Sequence, residues 1–257
     1  MKIFTLGTSH GTATPTRFNS STLYETEGVF YLIDVGAPCE ALMTRQGLPK
    51  KDLRAAFVTH MHDDHAGGLT SLLKEVKKRN EGRSLPFTLY LPEENAVEAL
   101  KGWLTALHED SALSIEYRTV SDGVIHEDER LRVSAIRTAH LKAADGTPVS
   151  FSFLLEFLKE GKSVLHTGDL SHSFTDFPRI AKERHLDLCV LEATHYRPEA
   201  AHDLLMAARL DRLILTHIGN RWHDGLPGGE GEAALIATTK EYPYPTEIAH
   251  DGDVFIL

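Results

Sequence analysis

Four potential metal ligands fall within six residues in the stretch Thr59-His60-Met61-His62-Asp63-Asp64-His65-Ala66-Gly67-Gly68. They follow the apolar run Ala55-Ala56-Phe57-Val58, so a strand is expected to deliver them to a turn that opens a helix. His60 and His62 are two apart and project together from an extended end, while Asp64 and His65 are adjacent and project apart, toward a second position. The stretch therefore reads as half-shells for two metals. Neutral imidazoles and a carboxylate suit zinc, iron or manganese better than magnesium or calcium. A two-metal site needs about six to eight protein ligands and a bridging carboxylate. Three later segments can supply the remainder. Arg137-Thr138-Ala139-His140 ends an alternating strand, Leu165-His166-Thr167-Gly168-Asp169 ends another with a carboxylate just past a glycine, and Leu213-Ile214-Leu215-Thr216-His217 ends a third. His140, Asp169 and His217 are the natural candidates to complete the set.

The elements that must position these residues follow from periodicity and breakers. Lys2 to Thr8 alternates, and Ser21 to Thr26 and Val29 to Val35 form a hairpin through Glu27-Gly28. Cys39 to Gly47 reads as a short helix, Ala55 to Thr59 as the strand behind the ligand motif, and Ala66 to Asn80 as a helix with Leu69, Leu72, Leu73 and Val76 at helical spacing. The basic run Lys74 to Arg79 is that helix's solvated face. Strands are expected at Phe87 to Leu91, Ser114 to Val120, Leu131 to His140, Val149 to Phe157, Ser163 to Thr167, Leu186 to Glu192 and Arg212 to Thr216. Helices are expected at Glu93 to His108, His172 to Arg184, Pro198 to Arg209 and Gly229 to Glu241, and Glu247 to Leu257 closes the chain with a strand turned by Asp251-Gly252-Asp253. Roughly a dozen strands, first in runs and later alternating with helices, predict an α+β chain of two sheets packed face to face with helices outside. At 257 residues one domain, 1–257, is expected rather than two.

A net charge of −10 argues against a surface that binds long nucleic acid by phosphate neutralisation alone. Bound divalent cations could supply the local positive charge that an anionic substrate needs. The two cysteines, Cys39 and Cys189, form no CxxC and point to reduced core thiols rather than to a disulfide framework or a thiolate cluster. No apolar run approaches the ~18 residues of a membrane span, and the N-terminus does not read as a signal peptide. A cytoplasmic protein is the expectation.

His60-x-His62-x-Asp64-His65 followed by His140, Asp169 and His217 resembles the metallo-beta-lactamase superfamily, over nearly the whole chain. The resemblance implies a four-layer αββα sandwich. It implies that His60, His62 and His140 hold one metal, that Asp64, His65 and His217 hold the other, and that Asp169 and a hydroxide bridge them. Zinc is the expected metal, with manganese and iron as alternatives. Within the superfamily the likeness is nearer to phosphodiesterases of the ribonuclease Z type and to smaller cyclic-phosphate diesterases. Gly7-Thr8 with Pro15, Arg17, Asn19 and Ser20-Ser21 is similar to their start, Leu191-Glu192-Ala193-Thr194 to their Glu-Ala-Thr motif, and Thr216-His217 to Trp222 to their last-histidine segment. The family places a non-ligand histidine before the final helix, and His195, 22 positions before His217, has the spacing for it. Family members of this type are often homodimers.

The implied mechanism is attack on phosphorus by the metal-bridged hydroxide. A histidine held by a carboxylate then protonates the leaving alkoxide. His195 is assigned as general acid, Glu192 as its orienting partner, and Asp64 as ligand and acceptor of the water's proton, with His202 or His223 next in line for the acid. Arg221 is read as a phosphate contact or, equally, a structural ion pair. His10 and His250 sit on loops that could touch substrate, and His166 is a core or supporting histidine rather than a ligand. Ribonuclease Z proteins carry a long arm that grips tRNA, in some members between the equivalents of His140 and Asp169. Here that interval is 29 positions, nearly filled by two strands and their turn. A small phosphodiester such as a cyclic nucleotide or cyclic phosphate is therefore the expected substrate. tRNA 3′ processing is the alternative, and a thioester or lactone hydrolase a further one.

Overall fold

The computed structural model describes residues 1–78, 86–109 and 115–257. They form two compact units, one of residues 1–120 and 250–257, the other of residues 121–249. Each is built on one seven-stranded mixed sheet.

In the first unit the strands are β1 (Lys2–Gly7), β2 (Ser21–Thr26), β3 (Val29–Ile33), β4 (Leu53–Phe57), β5 (Thr88–Leu91), β6 (Glu116–Thr119) and β14 (Val254–Ile256). Their order is β14-β1-β2-β3-β4-β5-β6. Antiparallel pairing runs from β14 to β3, and parallel pairing from β3 to β6. The β2–β3 turn carries Glu27 at φ 49° and Gly28 at φ 77°, the left-handed pair that a tight hairpin of this twist demands. Helices α1 (Cys39–Arg45), α2 (Asp63–Ala66), α3 (Leu69–Lys78) and α4 (Glu94–Ala106) belong to this unit. Leu69, Leu72, Leu73 and Val76 of α3 are all buried and join Leu32, Val58 and Leu89 in one core. The expected helix from Ala66 instead begins as α2 and restarts after Gly67-Gly68.

The second unit holds β7 (Gly123–Glu127), β8 (Leu131–Lys142), β9 (Pro148–Phe157), β10 (Lys162–His166), β11 (Leu188–Ala193), β12 (Leu213–Ile218) and β13 (Thr246–Ile248). Their order is β13-β12-β11-β10-β9-β8-β7. Its first strands are antiparallel and its later ones parallel, with helices α5 (Ile180–Glu183), α6 (Pro198–Met206) and α7 (Glu232–Thr238). Leu165, Leu191 and Leu215 from three adjacent strands enter its core with Leu205 and Leu235 from the helices.

Other elements also differ from expectation. The helix expected at His172 to Arg184 survives only as α5. Phe174 takes φ 58°, incompatible with a right-handed helix, and the Asp176 carboxylate accepts from the Ser171 N–H at 3.0 Å and its hydroxyl at 2.7 Å, folding the segment into a turn. The closing strand expected at Glu247 to Leu257 is two strands in different sheets, β13 and β14, because the turn at 251–252 separates them. Strand β7 was not expected: it is a short edge strand whose Val124 faces solvent, without the clean alternation that marks a strand. Asn80, Arg79 and Ser114, the ends of an expected helix, basic run and strand, lie outside the described residues. Among the described residues no helix is long and apolar enough to cross a membrane.

Candidate active site

Most of the residues singled out for chemistry lie at or near the carboxyl ends of strands that have a parallel neighbour, where side chains can converge; His140 lies instead near the end of β8, which is paired antiparallel on both sides. In the first unit β3 and β4 run parallel. The chain leaving β3 turns at once through Asp34, held at φ 59°; the chain leaving β4 presents Thr59 and His60. The buried Asp34 carboxylate gathers this region. It accepts the Thr59 N–H at 2.7 Å and the Thr59 hydroxyl at 3.0 Å, and it stands 2.7 Å from His65 Nδ1. A carboxylate accepts only, so Nδ1 of His65 carries the proton and Nε2 is left as its lone-pair nitrogen. That nitrogen lies 3.3 Å from Asp64 Oδ2. Asp64 and His65 thus converge rather than project apart, because Asp34 fixes the far side of the His65 ring. His60 Nε2 and His62 Nδ1 are 2.9 Å apart, and the His60 and His65 rings have centroids at 4.1 Å. His60, Asp64 and His65 are buried and His62 is exposed.

The ligand turn is clamped from behind. Val35 N–H donates to the His65 carbonyl at 2.7 Å, and Gly68 N–H to the Val35 carbonyl at 2.8 Å. The approach is so close that a Cβ on Gly36 would fall 2.3 Å from the Asp64 carbonyl oxygen. The Gly7-Thr8 to Arg17 segment is a second clamp. Asp251 accepts the Thr8 N–H at 2.9 Å, the Thr8 hydroxyl at 2.7 Å and the Phe18 N–H at 2.6 Å, and buried Arg17 donates to Thr8 Oγ1 at 2.5 Å. Burial raises the Asp251 carboxyl above its ordinary range against these donors. His10, on the loop so held, accepts the Thr12 N–H at 3.2 Å.

In the second unit Asp169 is the centre. His140 Nε2 is 3.4 Å from its Oδ2 and His217 Nε2 is 3.5 Å from its Oδ1. One ligand atom from each of Asp169, His195 and His217 lies within 4.8 Å of the others. His217, the penultimate residue of β12, takes φ 51°, a left-handed conformation that costs about 1–2 kcal/mol and points to a functional constraint. Its Nδ1 is 3.2 Å from Thr194 Oγ1, whose hydroxyl donates to the His217 carbonyl. Glu192, buried on β11, accepts N–H groups from Thr194 at 2.7 Å, His195 at 2.9 Å and Leu170 at 3.1 Å. It also lies 3.1 Å from His195 Nδ1, which leaves Nε2 of His195 as the outward nitrogen. Asp176 braces this edge by accepting Ala139 N–H at 2.7 Å.

The remaining candidates are dispersed. Arg221 is paired with Glu230 through Nε at 2.7 Å and Nη2 at 3.3 Å, and stacks over Trp222. His166 is buried at the end of β10. His223 Nδ1 donates to the Asp224 carbonyl at 2.7 Å, His202 sits on α6 3.6 Å from Glu241, and exposed His250 lies 3.4 Å from Asp253. Cys39 and Cys189 are buried, unpaired thiols. Sequence reasoning missed Asp34, His172 and Asp176. Asp34 bore the signal that picked out Asp169, a carboxylate just past a buried strand; the other two lie where a helix was expected.

The donor set suits a divalent metal: imidazoles, two of which (His65 and His217) have their second nitrogen against a carboxylate or hydroxyl group, and carboxylates beside them. The family model described as Anti-Pycsar protein Apyc1 matches residues 1–217. The chain belongs to this family. The Apyc1 match ends on His217, the last of the expected ligands. Ribonuclease Z of Pseudomonas putida (strain W619) is 35% identical over 146 residues, 54% of this chain and 43% of that protein; the chain thus spans under half the length of that relative. Human tRNase Z, short form, superposes with a TM-score of 0.72 at 23% identity, covering 100% of this chain and 99% of the other. YhfI of Bacillus subtilis, a metallo-beta-lactamase fold protein, gives a TM-score of 0.72 at 18% identity over 99% and 98%. The Apyc1 family chain therefore has the metallo-beta-lactamase fold, as the resemblance implied.

Proposed function

We propose that the protein is a binuclear-metal phosphodiesterase acting on a small phosphodiester such as a cyclic nucleotide or cyclic phosphate. In this reading the two units are halves of one catalytic domain. His60, His62, Asp64 and His65 of the first and His140, Asp169 and His217 of the second hold two divalent cations, zinc before manganese or iron. Such cations supply Lewis acidity toward phosphoryl oxygens and a water of lowered pKa. Asp64 accepts the water's proton. Proton delivery to the leaving alkoxide belongs to His195. Glu192 holds its Nδ1, so that Nε2 faces the leaving group, and the three backbone N–H groups on Glu192 keep the carboxylate from swinging away. The observation that carries the reading is this carboxylate-held histidine beside Asp169, with His195 Nδ1 3.7 Å from Asp169 Oδ2. Arg221 and His10 are proposed as substrate contacts, to be read as raised KM with unchanged kcat in R221A and H10A.

The small substrate is favoured over tRNA by what fills the interval from His140 to Asp169. Strand β8 runs to Lys142, β9 from Pro148 to Phe157 and β10 from Lys162 to His166, joined by short turns. The net charge of −10 supports the same choice. The reading carries a cytoplasmic location and a homodimer with it, the latter checked by light scattering. The deciding experiment is a hydrolysis panel of 3′,5′- and 2′,3′-cyclic nucleotides beside a tRNA precursor and a thioester and lactone. Preference for a cyclic nucleotide supports the proposal; preference for the tRNA precursor, or for thioester or lactone, overturns it. His195→Ala should lower turnover by about 10²–10⁴ with metal content intact, whereas loss of metal would make His195 a ligand instead.

A further inference from the structure

His172 lies on the surface in a segment the proposed chemistry does not use. Its Nδ1 meets the backbone carbonyl of His195, and the two rings have centroids 6.0 Å apart. A carbonyl only accepts, so Nδ1 of His172 is the protonated nitrogen. The loop that carries His172 is held independently of this bond. Leu170 N–H is taken by Glu192 at 3.1 Å, and Ser171 N–H and hydroxyl by Asp176. The Phe174 ring stacks on Phe177 at 5.0 Å and meets Tyr196 at 4.4 Å. Two contacts from one loop therefore grip the chain just after the His195 side chain, His172 at its carbonyl and Phe174 at the next residue. Glu192 fixes only the ring's Nδ1 and the backbone N–H groups.

From this geometry we infer that His172 is a positioning residue for His195: by donating to its carbonyl it fixes the backbone from which the general acid is delivered. The inference rests on the assignment of His195 as general acid. It implies dependence on the leaving group. An alkoxide leaving group needs the proton, whereas p-nitrophenolate leaves as a stable anion without one.

The test compares turnover of a 3′,5′-cyclic nucleotide with that of bis(p-nitrophenyl) phosphate in the full chain, with metal content measured for every variant. His172→Ala should lower kcat on the cyclic nucleotide by up to about 10²-fold, the scale of a misplaced catalytic group, and leave bis(p-nitrophenyl) phosphate turnover and metal content unchanged. His172→Asn, whose amide nitrogen occupies the Nδ1 position, should restore kcat; His172→Gln, whose amide reaches the Nε2 position, should not. Equal loss on both substrates, or no loss on either, overturns the inference. His195→Ala run in parallel separates the two claims. If it loses both activities alike or loses metal, the general-acid assignment has failed and takes the inference with it. If it alone is selective for the alkoxide substrate, only the role of His172 has failed.

Discussion

Replacing Asp34 by Asn separates folding from metal binding. The Asp34 carboxylate is buried and holds three donors, the N–H and hydroxyl of Thr59 and Nδ1 of His65, at 2.7, 3.0 and 2.7 Å. Hydrogen bonds to a charged group are worth roughly 1.5–3 kcal/mol each, and three sharing one carboxylate are not additive, so its complete removal in Asp34→Ala should cost about 3–5 kcal/mol. That is a large share of an ordinary stability of about 5–15 kcal/mol. Asparagine differs in kind. It keeps the shape and tolerates the left-handed backbone at φ 59°. The backbone N–H of Thr59 can only donate, so the amide oxygen must face it and the NH2 must face His65. His65 can meet an NH2 only with a lone pair on Nδ1, which moves its proton to Nε2, the nitrogen proposed to bind metal. Asp34→Asn should therefore lose about 1–2 kcal/mol of metal-free stability but some 10- to 100-fold in metal affinity. Urea unfolding of the metal-stripped protein reads the first quantity, and elemental analysis after dialysis against graded chelator reads the second. Wild-type metal retention across the chelator series would refute the tautomer argument, and unaltered stability of Asp34→Ala would refute the hydrogen-bond argument.

Gly36→Ala should destabilise the protein by about 1–3 kcal/mol or prevent folding, since its Cβ would lie 2.3 Å from the Asp64 carbonyl; thermal unfolding reads this, and a wild-type Tm would contradict the tight approach. Asp187 is held below the ordinary aspartate value of 3.8, because Lys162 and Ser163 outweigh the opposing effect of burial. Its folded pKa being depressed, its contribution is fully present above about pH 4 and lost as pH falls through the lower folded value. Asp187→Asn should accordingly be less stable at neutral pH and show a shallower acid limb in urea titrations. Burial raises the Cys39 thiol to about 12 and that of Cys189 further. Neither should react with a disulfide reagent near pH 8 until the chain is unfolded; rapid labelling of the native protein would place a thiol at the surface.

Much of the candidate site was legible because the residue types that could hold a metal are grouped locally. His60, His62, Asp64 and His65 share one turn, and His140, Asp169 and His217 each lie at or just past the end of a strand that alternation or apolar character reveals. The Glu192-to-His195 spacing placed a carboxylate three residues before a histidine, close enough to meet across one strand end. The hairpin at Glu27-Gly28 and the apolar stripe of α3 were equally readable, since a tight turn and a 3.6-residue period leave marks in short windows.

What tertiary structure alone decided is the set of partners far apart in sequence. Asp34 reaches Thr59 and His65 because β3 and β4 pair in parallel, a register that no local pattern encodes. Asp176 reaches Ala139, and His172 the carbonyl of His195, because a left-handed Phe174 and the Asp176 carboxylate fold into a turn residues that read as a helix. The residues after His250 join β1 in the first sheet while β13 stays in the second, though both looked like one strand. In each case a side chain or backbone group found its partner far along the chain, and that choice is settled by strand pairing and loop packing within each unit rather than by neighbours in sequence. Residue types and spacing thus marked which groups are candidates to bind metal and move a proton; the fold determined which acceptor stands against which nitrogen, and hence the tautomers of His65 and His172.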